Sequence, residues 1–159
     1  PWVKSGELRE NTIASTKEHI TEVALEETNV KLVPAGALLL ALYGATVGRL
    51  GILGVTATTN QAVCHIIPDP QKTDMRYMFH ALSNQVPYLV GRGVGGAQPN
   101  ISQGIVKKLK IPIPPLPLQQ RFAAIVEQVE AQKARMRTQL TELDTLFAAL
   151  QQRAFNGEL

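Results

Sequence analysis

The sequence predicts an α+β fold, in which a mixed β-sheet domain with short helices precedes one long C-terminal helix of the coiled-coil type. Three observations support this prediction. Short apolar runs bounded by Gly, Pro or Asn recur from Val30 to Pro68, a helical apolar period begins after Thr73, and a heptad pattern follows Pro117. We therefore expect two domains, a sheet domain over residues 1–117 and a long helix over residues 118–159.

Four apolar runs predict the strands of the sheet. Each is four to seven residues long and is bounded by turn-forming residues, as is typical of strands. The runs are Val30–Val33, Ala37–Tyr43, Arg49–Val55 and Gln61–Ile67. A last short strand is predicted over Leu109–Ile113, after which several prolines stiffen the chain.

A helix is predicted over Thr73–Leu89, with Thr73 and Asp74 as capping groups. Its apolar face consists of Met75, Met78, Phe79, Leu82, Val86 and Leu89. Because proline lacks a backbone N–H, we expect Pro87 to end or kink this helix near its last turn. Gly91–Gly104 is predicted to be a polar, glycine-rich loop.

The C-terminal segment carries a heptad pattern over almost five repeats. One set of seam positions is Phe122, Val129, Met136, Leu143 and Leu150, and the other is Val126, Lys133, Leu140, Phe147 and Ala154. Nine of these ten positions are apolar, which predicts a helix that pairs with a second long helix. About 38 residues make a rod of roughly 57 Å, longer than the preceding domain. Lys133 either sets the register of pairing or extends its ammonium to solvent, and Gly157 is predicted to stop the helix.

Composition and charge narrow the class of protein. The chain has 159 residues, 45% of them hydrophobic, and a net charge of +3. Residues 31–110 contain eight basic and only two acidic side chains, which favours a face that meets a polyanion, although chance variation in a weakly charged domain would also explain this. Neither a membrane span nor a signal peptide is visible, so we expect a cytoplasmic protein without a membrane partner.

Sites for catalysis, metals and cofactors are not evident in the sequence. The single cysteine, Cys64, excludes thiolate zinc sites, and the three histidines lack ligand spacing. Gly91–Gly96 matches a dinucleotide-binding pattern, but no acidic residue follows it at the required spacing. Only two carboxylates, Asp69 and Asp74, lie between Thr28 and Val126, too few for metal-dependent cleavage of a phosphodiester. We expect a non-enzymatic chain that needs no cofactor.

Seven short motifs, in order along nearly the whole chain, resemble the specificity subunit of type I restriction–modification enzymes. Each motif alone is weak evidence for this resemblance, whereas the set in this order and spacing is specific to the family. The motifs are Trp2–Glu7, Val33–Gly36, Thr58–Ala62, Gly96–Ser102, Ile111–Gln120, Leu143–Phe147 and Phe155–Leu159. The resemblance covers one target-recognition domain, residues 1–117, and one spacer helix, residues 118–159. A complete subunit of this family has two of each, so the chain is either half of a longer subunit or a half-length protein that pairs with itself.

This resemblance implies a non-catalytic subunit that binds one half of a bipartite target in double-stranded DNA. Its long helix would pair with the helix of another specificity half or of a second copy. Methyltransferase subunits would dock on it, and a separate motor–nuclease subunit would cut the DNA. Two alternatives remain open: a coiled-coil adaptor whose globular domain binds protein, and a self-sufficient DNA enzyme, against which the missing carboxylates argue.

The shared motifs are poor candidates for base discrimination, since members of such a family bind different sequences. Base readout is expected in Glu7–Asn29, in Tyr43–Arg49 and around Arg92, with Arg49 and Arg92 as the main candidates. Lys107, Lys108 and Lys110 would contact phosphates, unless they form a solvated face. Gln98 and Asn100 would shape their loop and could touch phosphates.

Two further sets have competing interpretations. Thr59, Asn60 and Gln61 could offer amides to adenine, but we expect them to tie strands and turns together through side-chain bonds to the backbone. Tyr43 and Tyr77 could stack on bases, although Tyr77 is expected to flank the core face of its helix. The helix-pairing residues are Phe122, Val126, Val129, Met136, Leu140, Leu143, Phe147 and Leu150.

Overall fold

A computed structural model describes residues 1–93 and 100–158 and contains two compact units. The sheet unit comprises Pro1–Gln119, and the helix unit comprises Gln120–Leu159. The strands are β1 (Trp2–Val3), β2 (Asn11–Ile13), β3 (Leu38–Ala41), β4 (Leu50–Leu53), β5 (Thr58–Thr59) and β6 (Val63–Ile66). The α-helices are α1 (Glu22–Glu27), α2 (Met75–Gly91), α3 (Gln103–Lys107) and α4 (Leu116–Phe155), with short 3-10 turns at Ser5–Glu7 and Gly44–Thr46.

The main sheet has four strands in the order β2-β4-β3-β6. The strand β4 pairs in parallel with β2 and antiparallel with β3, and β3 pairs antiparallel with β6, so the sheet is mixed as predicted. Register pairs include Leu39 with Gly51 and Leu39 with His65. A separate pair of short parallel strands, β1 and β5, joins the start of the chain to the segment after β4.

The central strand β3 is buried on both faces, which explains its unbroken apolar sequence. Because side chains alternate along a strand, Leu39 and Ala41 enter one core and Leu38 and Leu40 enter the other. The first core also holds Val3, Leu8, Ile13, Val33, Ala37, Leu53, Ala57 and Val63. The second core is formed with Leu42, Leu50, Leu82, Leu89 and Ile101 and lies against α2.

Helix α2 confirms the predicted apolar face but runs further than expected. Leu82 and Leu89 are buried, and Met75, Met78, Phe79 and Val86 pack against the same core. Asp74 caps the helix, because its Oδ1 accepts hydrogen bonds from the backbone N–H groups of Arg76 and Tyr77. The helix continues past Pro87 and ends at Gly91. Pro87 lies on the exposed side of the helix, away from the core, and the carbonyl of Ser83 lacks its usual helical donor there.

Two predicted strands are not strands in the structure. Val30–Val33 contributes only a single bridge, between Val33 and Ala57. Leu109–Ile113 is irregular, because Pro112 and Pro114 remove ladder donors, and Leu109 and Ile111 instead pack against the second core. Conversely, β2, β5 and α1 lie in segments for which no strand or helix was predicted, and α3 begins inside the predicted loop Gly91–Gly104.

Helix α4 spans 40 residues without interruption, from Leu116 to Phe155. It begins two residues earlier than predicted, since Pro117 lies in the first turn, where a missing N–H costs nothing. The stop at Gly157 is confirmed: its φ is +75°, and the N–H of Glu158 donates to the carbonyl of Arg153 at 2.9 Å. No helix in the described parts of the chain is both long and apolar enough to cross a membrane.

Candidate nucleic-acid interface

One end of the main sheet gathers the loops that contain the predicted arginines. The starts of β2, β4 and β6 and the end of β3 all lie at this end, because β3 runs opposite to β4 and β6. Backbone hydrogen bonds join the loops: the N–H of Leu42 donates to Ala62 O at 2.8 Å, and the N–H of Ile101 donates to Leu42 O at 2.7 Å. We call this region the Arg49 end, and it comprises residues 9–10, 42–49, 60–62, 88–92 and 100–101.

Gly48 brings the loop between β3 and β4 against helix α2. Its φ is +83°, a conformation that side-chain-bearing residues avoid. A Cβ atom at this position would lie only 2.7 Å from Val86 Cγ1 and 3.1 Å from Val90 Cγ2. The close approach therefore requires glycine and places Arg49 on the loop that contacts the last turns of α2, just before Arg92.

The side chain of Arg49 is exposed and forms an ion pair with Glu10. Its Nη1 donates to Glu10 Oε2, across the adjacent starts of β2 and β4. Two of the segments in which base readout was expected, Glu7–Asn29 and Tyr43–Arg49, thus meet at this pair. The sequence did not indicate Glu10 as a partner, because the contact spans 39 positions and depends on the β2–β4 pairing.

Arg92 lies at the C-terminal end of α2 and stacks on Tyr88. Its guanidinium carbon is 5.1 Å from the centre of the Tyr88 ring, a cation–π arrangement one helical turn apart. Both side chains are exposed. Stacking leaves the hydrogen-bond donors of the guanidinium free to point away from the ring, so Tyr88 orients Arg92 without using its donors.

Asn100 is exposed and lies beside the loop between β3 and β4. Together with Tyr43 and Ile101 it lines a shallow cavity of about 420 Å³. Gln98, the other amide predicted in this segment, lies outside the described residues. Tyr77 is half-buried, and its hydroxyl donates to Pro112 O at 2.7 Å, so its polar group is used within the fold.

The lysine cluster lies at α3 and in the segment after it. Lys107, Lys108 and Lys110 are exposed, and no ion pair to any of them occurs within residues 1–93 and 100–158. Lys107 lines a groove of about 630 Å³ with Cys64 of β6. Burial raises the pKa of the Cys64 thiol, and the nearby Lys107 charge partly offsets this.

The strands next to the Thr59–Gln61 turn are joined by the Thr58 hydroxyl and the Asn60 backbone N–H, whereas side-chain bonds of Thr59, Asn60 and Gln61 were predicted. The hydroxyl of Thr58 donates to Pro1 O at 2.9 Å, and the backbone N–H of Asn60 donates to Val3 O at 3.0 Å. Asn60 Oδ1 and Trp2 Nε1 are buried and have no hydrogen-bond partner in the described parts of the chain. The expected side-chain bonds to the backbone are therefore absent at Asn60, although the strands are joined.

The heptad seam of α4 is largely exposed in the single chain. The exposed fractions of Leu143 and Phe147 are 62% and 63%. Phe122, Val129, Met136, Leu140 and Leu150 are likewise exposed, while Val126 is partly buried. Lys133 is also exposed, and its Nζ lies 2.7 Å from Glu130 Oε1. A second apolar row, formed by Leu118, Ile125 and Leu146, flanks the seam and lies outside the predicted pairing set.

Gln119 belongs to the fifth of the seven motifs, but the sequence indicates no role for its side chain. It is fully buried, and its Nε2 donates to Lys72 O at 2.9 Å and to Pro114 O at 2.7 Å. Its Oε1 accepts from the backbone N–H of Asp74 at 2.9 Å. One amide thus links the first turn of α4 to the turn before α2 and to the proline segment.

A metal site is not indicated by the side chains that can be placed. Within the described ranges, no three His, Cys, Asp or Glu residues lie close enough together to hold an ion. The Arg49 end presents the cationic donors of Arg49 and Arg92 and the amide of Asn100, which suit phosphate and base acceptors, beside the carboxylate of Glu10.

Comparison with known sequences identifies relatives along most of the chain. The family model of the type I restriction modification DNA specificity domain matches residues 1–145. The EcoR124I/EcoR124II specificity subunit of Escherichia coli is 23% identical over 135 residues, covering 82% of this chain and 33% of the relative. The MjaIX specificity subunit of Methanocaldococcus jannaschii is 28% identical over 130 residues, covering 79% and 30%. The chain spans about a third of the length of these curated relatives.

Comparison with solved structures confirms the predicted fold class. A chain from a study of complex assembly and conformational transition of the type I R-M system matches with a TM-score of 0.71 at 20% identity, over 100% of this chain and 39% of that one. The HsdS subunit from Thermoanaerobacter tengcongensis matches with a TM-score of 0.59 at 21% identity, over 80% and 31%. At these identities the likeness concerns the fold.

Proposed function

Because the chain belongs to the type I restriction modification DNA specificity family, we propose that its Arg49 end binds one half of a bipartite target in double-stranded DNA. The observation that carries this proposal is the arrangement of Arg49 and Arg92. They are 43 positions apart in sequence, yet the packing of Gly48 on α2 brings their segments together at one end of the sheet. Both side chains are exposed, as base readout requires.

The three lysines are proposed to contact phosphates. All three are exposed and lie within residues 107–110, and a phosphate contact needs an accessible positive charge rather than a precise geometry. Asn100, with its exposed amide beside Tyr43, is proposed as a further contact, and Gln98 is retained as a candidate from the sequence alone. In this division of roles, the arginines determine sequence preference and the lysines determine general affinity.

The long helix is proposed to pair with another such helix, either from a second specificity half or from a second copy of the chain. The exposed seam from Phe122 to Leu150 supports this, because an apolar stripe of this length is typical of a coiled-coil surface. We further propose that the chain itself is not catalytic and works in the cytoplasm. Methyltransferase subunits would dock on it and a motor–nuclease subunit would join the complex.

The DNA-binding proposal is tested by titrating the chain with two duplexes, one selected from a randomised pool and one of random sequence. We expect Arg49→Gln with Arg92→Gln to weaken binding to the selected duplex by about 1–3 kcal/mol per arginine, with little effect on the random duplex. Lys107→Gln, Lys108→Gln and Lys110→Gln together should weaken both. They should also reduce the steepness of log binding constant against log salt concentration by about 0.9 for each phosphate that is no longer neutralised.

The matched control is Arg135→Gln with Arg137→Gln, which removes the same charge from exposed positions of α4. This control should leave both titrations as in the wild type. If the two arginine pairs have equal effects on the selected duplex, the Arg49 end is not the DNA interface. Selection that enriches no sequence, together with binding that does not depend on salt, would favour the protein-binding adaptor.

A further inference from the structure

Glu10 has an unusual backbone conformation at the Arg49 end. It is the one non-glycine residue with a positive φ, +55°, among residues 1–93 and 100–158. Residues with a Cβ avoid this region. The conformation therefore costs free energy, which the surrounding contacts must offset. Here the N–H of Glu10 donates to Leu50 O at 2.9 Å, continuing the β2–β4 pairing, and the N–H of Arg9 donates to Asn11 Oδ1 at 2.8 Å.

The side chain of the same residue forms the ion pair with Arg49. The side chains are 43% exposed for Glu10 and 54% exposed for Arg49, so water surrounds the pair. Exposed ion pairs contribute little to folding stability. A backbone conformation with a cost and an ion pair that barely stabilises the fold occur at the same residue, which points to a role for Glu10 in binding.

The chemistry of the two partners indicates what that role is. The pair uses Nη1 of Arg49, and a guanidinium carries five N–H donors in all. A guanine edge presents two neutral acceptors, O6 and N7, whereas a phosphate is an anion. A carboxylate beside the guanidinium repels an approaching phosphate but does not repel neutral acceptors in the same way.

We propose that Glu10 is a specificity-determining positioning residue, which orients Arg49 towards a base edge and keeps its guanidinium off the phosphate backbone. This rests on the proposed function of the Arg49 end. Glu10 acts through Arg49 and makes no base contact in this proposal. Removing its carboxylate would turn Arg49 into an additional phosphate contact, which raises general affinity and lowers discrimination between sequences.

The test is a double-mutant cycle on a random-sequence duplex over a range of salt concentrations. Glu10→Gln should tighten binding several-fold. It should also steepen the slope of log binding constant against log salt concentration by about 0.9, the change expected for one added phosphate contact. In the Arg49→Gln background the same substitution should change neither quantity. Glu10→Asp, which keeps the negative charge, should behave as the wild type. Glu142→Gln, the same charge change at an exposed position of α4, should leave the slope unaltered.

Glu10→Gly provides a second route, because glycine adopts a φ of +55° without strain while removing the carboxylate. It should reproduce the Glu10→Gln result even if that variant folds poorly. Equal tightening by Glu10→Gln in the presence and absence of Arg49 would overturn the inference, as would an unchanged salt slope in both carboxylate-free variants. If the wild-type chain shows no salt-dependent binding to any duplex, the proposed function itself fails.

Discussion

At the scale of single residues, Gln119 shows how one buried amide can hold three segments of the sheet unit together. Its side chain satisfies two carbonyls and one N–H that are remote from each other in sequence. Leaving a buried polar group unsatisfied costs about 1–3 kcal/mol, more than the net gain from making the bond. The motif contains this glutamine, but only the three hydrogen bonds explain why an amide is needed there.

We therefore expect Gln119→Leu to lower the free energy of unfolding of the sheet unit by about 3 kcal/mol, measured by urea denaturation. Leucine fills the space but leaves Lys72 O, Pro114 O and the N–H of Asp74 without their partner. Gln120→Leu, at the exposed neighbouring position, is the control and should change stability by less than about 0.5 kcal/mol. A decrease in stability at Gln119 no larger than that at Gln120 would contradict this account.

At the scale of elements, the packing of the β3–β4 loop on α2 determines how the Arg49 end is built. Gly44 and Gly48 both have a positive φ, but only at Gly48 would a Cβ meet the helix. The two positions therefore separate the cost of backbone conformation from the cost of overlap with Val86. The apolar runs predicted the two strands, but they contained no information on which loop glycine contacts α2.

Gly44→Ala is expected to destabilise the chain by about 1–2 kcal/mol, the cost of the left-handed conformation alone. Gly48→Ala should cost a further ~1–3 kcal/mol, because β-branched Val86 cannot easily move aside. Thermal or urea unfolding of both variants measures the difference. Equal destabilisation by the two alanines would mean that the loop does not pack closely on the helix.

At the scale of the whole molecule, the exposed seam of α4 is the feature on which the proposed pairing with another helix rests. Leu140 and Leu143 lie in the middle of the seam and are 59% and 62% exposed in the single chain. Pairing would bury both, and a buried unpaired carboxylate costs several kcal/mol, so aspartate at these positions should prevent it.

We expect Leu140→Asp with Leu143→Asp to convert an associated species to the monomer in sedimentation velocity, or to prevent capture of a second specificity half. Thr138→Asp with Thr141→Asp adds the same charge to exposed positions of the same helix, outside the seam, and should leave association unchanged. Association that survives the leucine substitutions would show that the heptad seam is not the pairing surface.

The local features of this protein could be predicted from its sequence. The strand β3 follows from an unbroken apolar run, and the apolar face of α2 and the length of α4 follow from apolar periodicity, and both signals are properties of neighbouring residues. The seven motifs pointed to the family that the comparisons support. The predicted strand over Leu109–Ile113 was wrong because Pro112 within it and Pro114 after it cannot donate to a ladder. The prolines are visible in the sequence, but the apolar residues were given more weight.

Only the tertiary structure decided which residues come together at the Arg49 end. Glu10 meets Arg49 because β2 lies parallel to β4, and the Gly48 loop approaches Arg92 because α2 packs on the sheet at that point. These are contacts across tens of positions, set by strand order and backbone hydrogen bonds rather than by any local pattern. The arginines were proposed from the sequence, whereas the contacts of Glu10 and Gln119 are visible only in the fold.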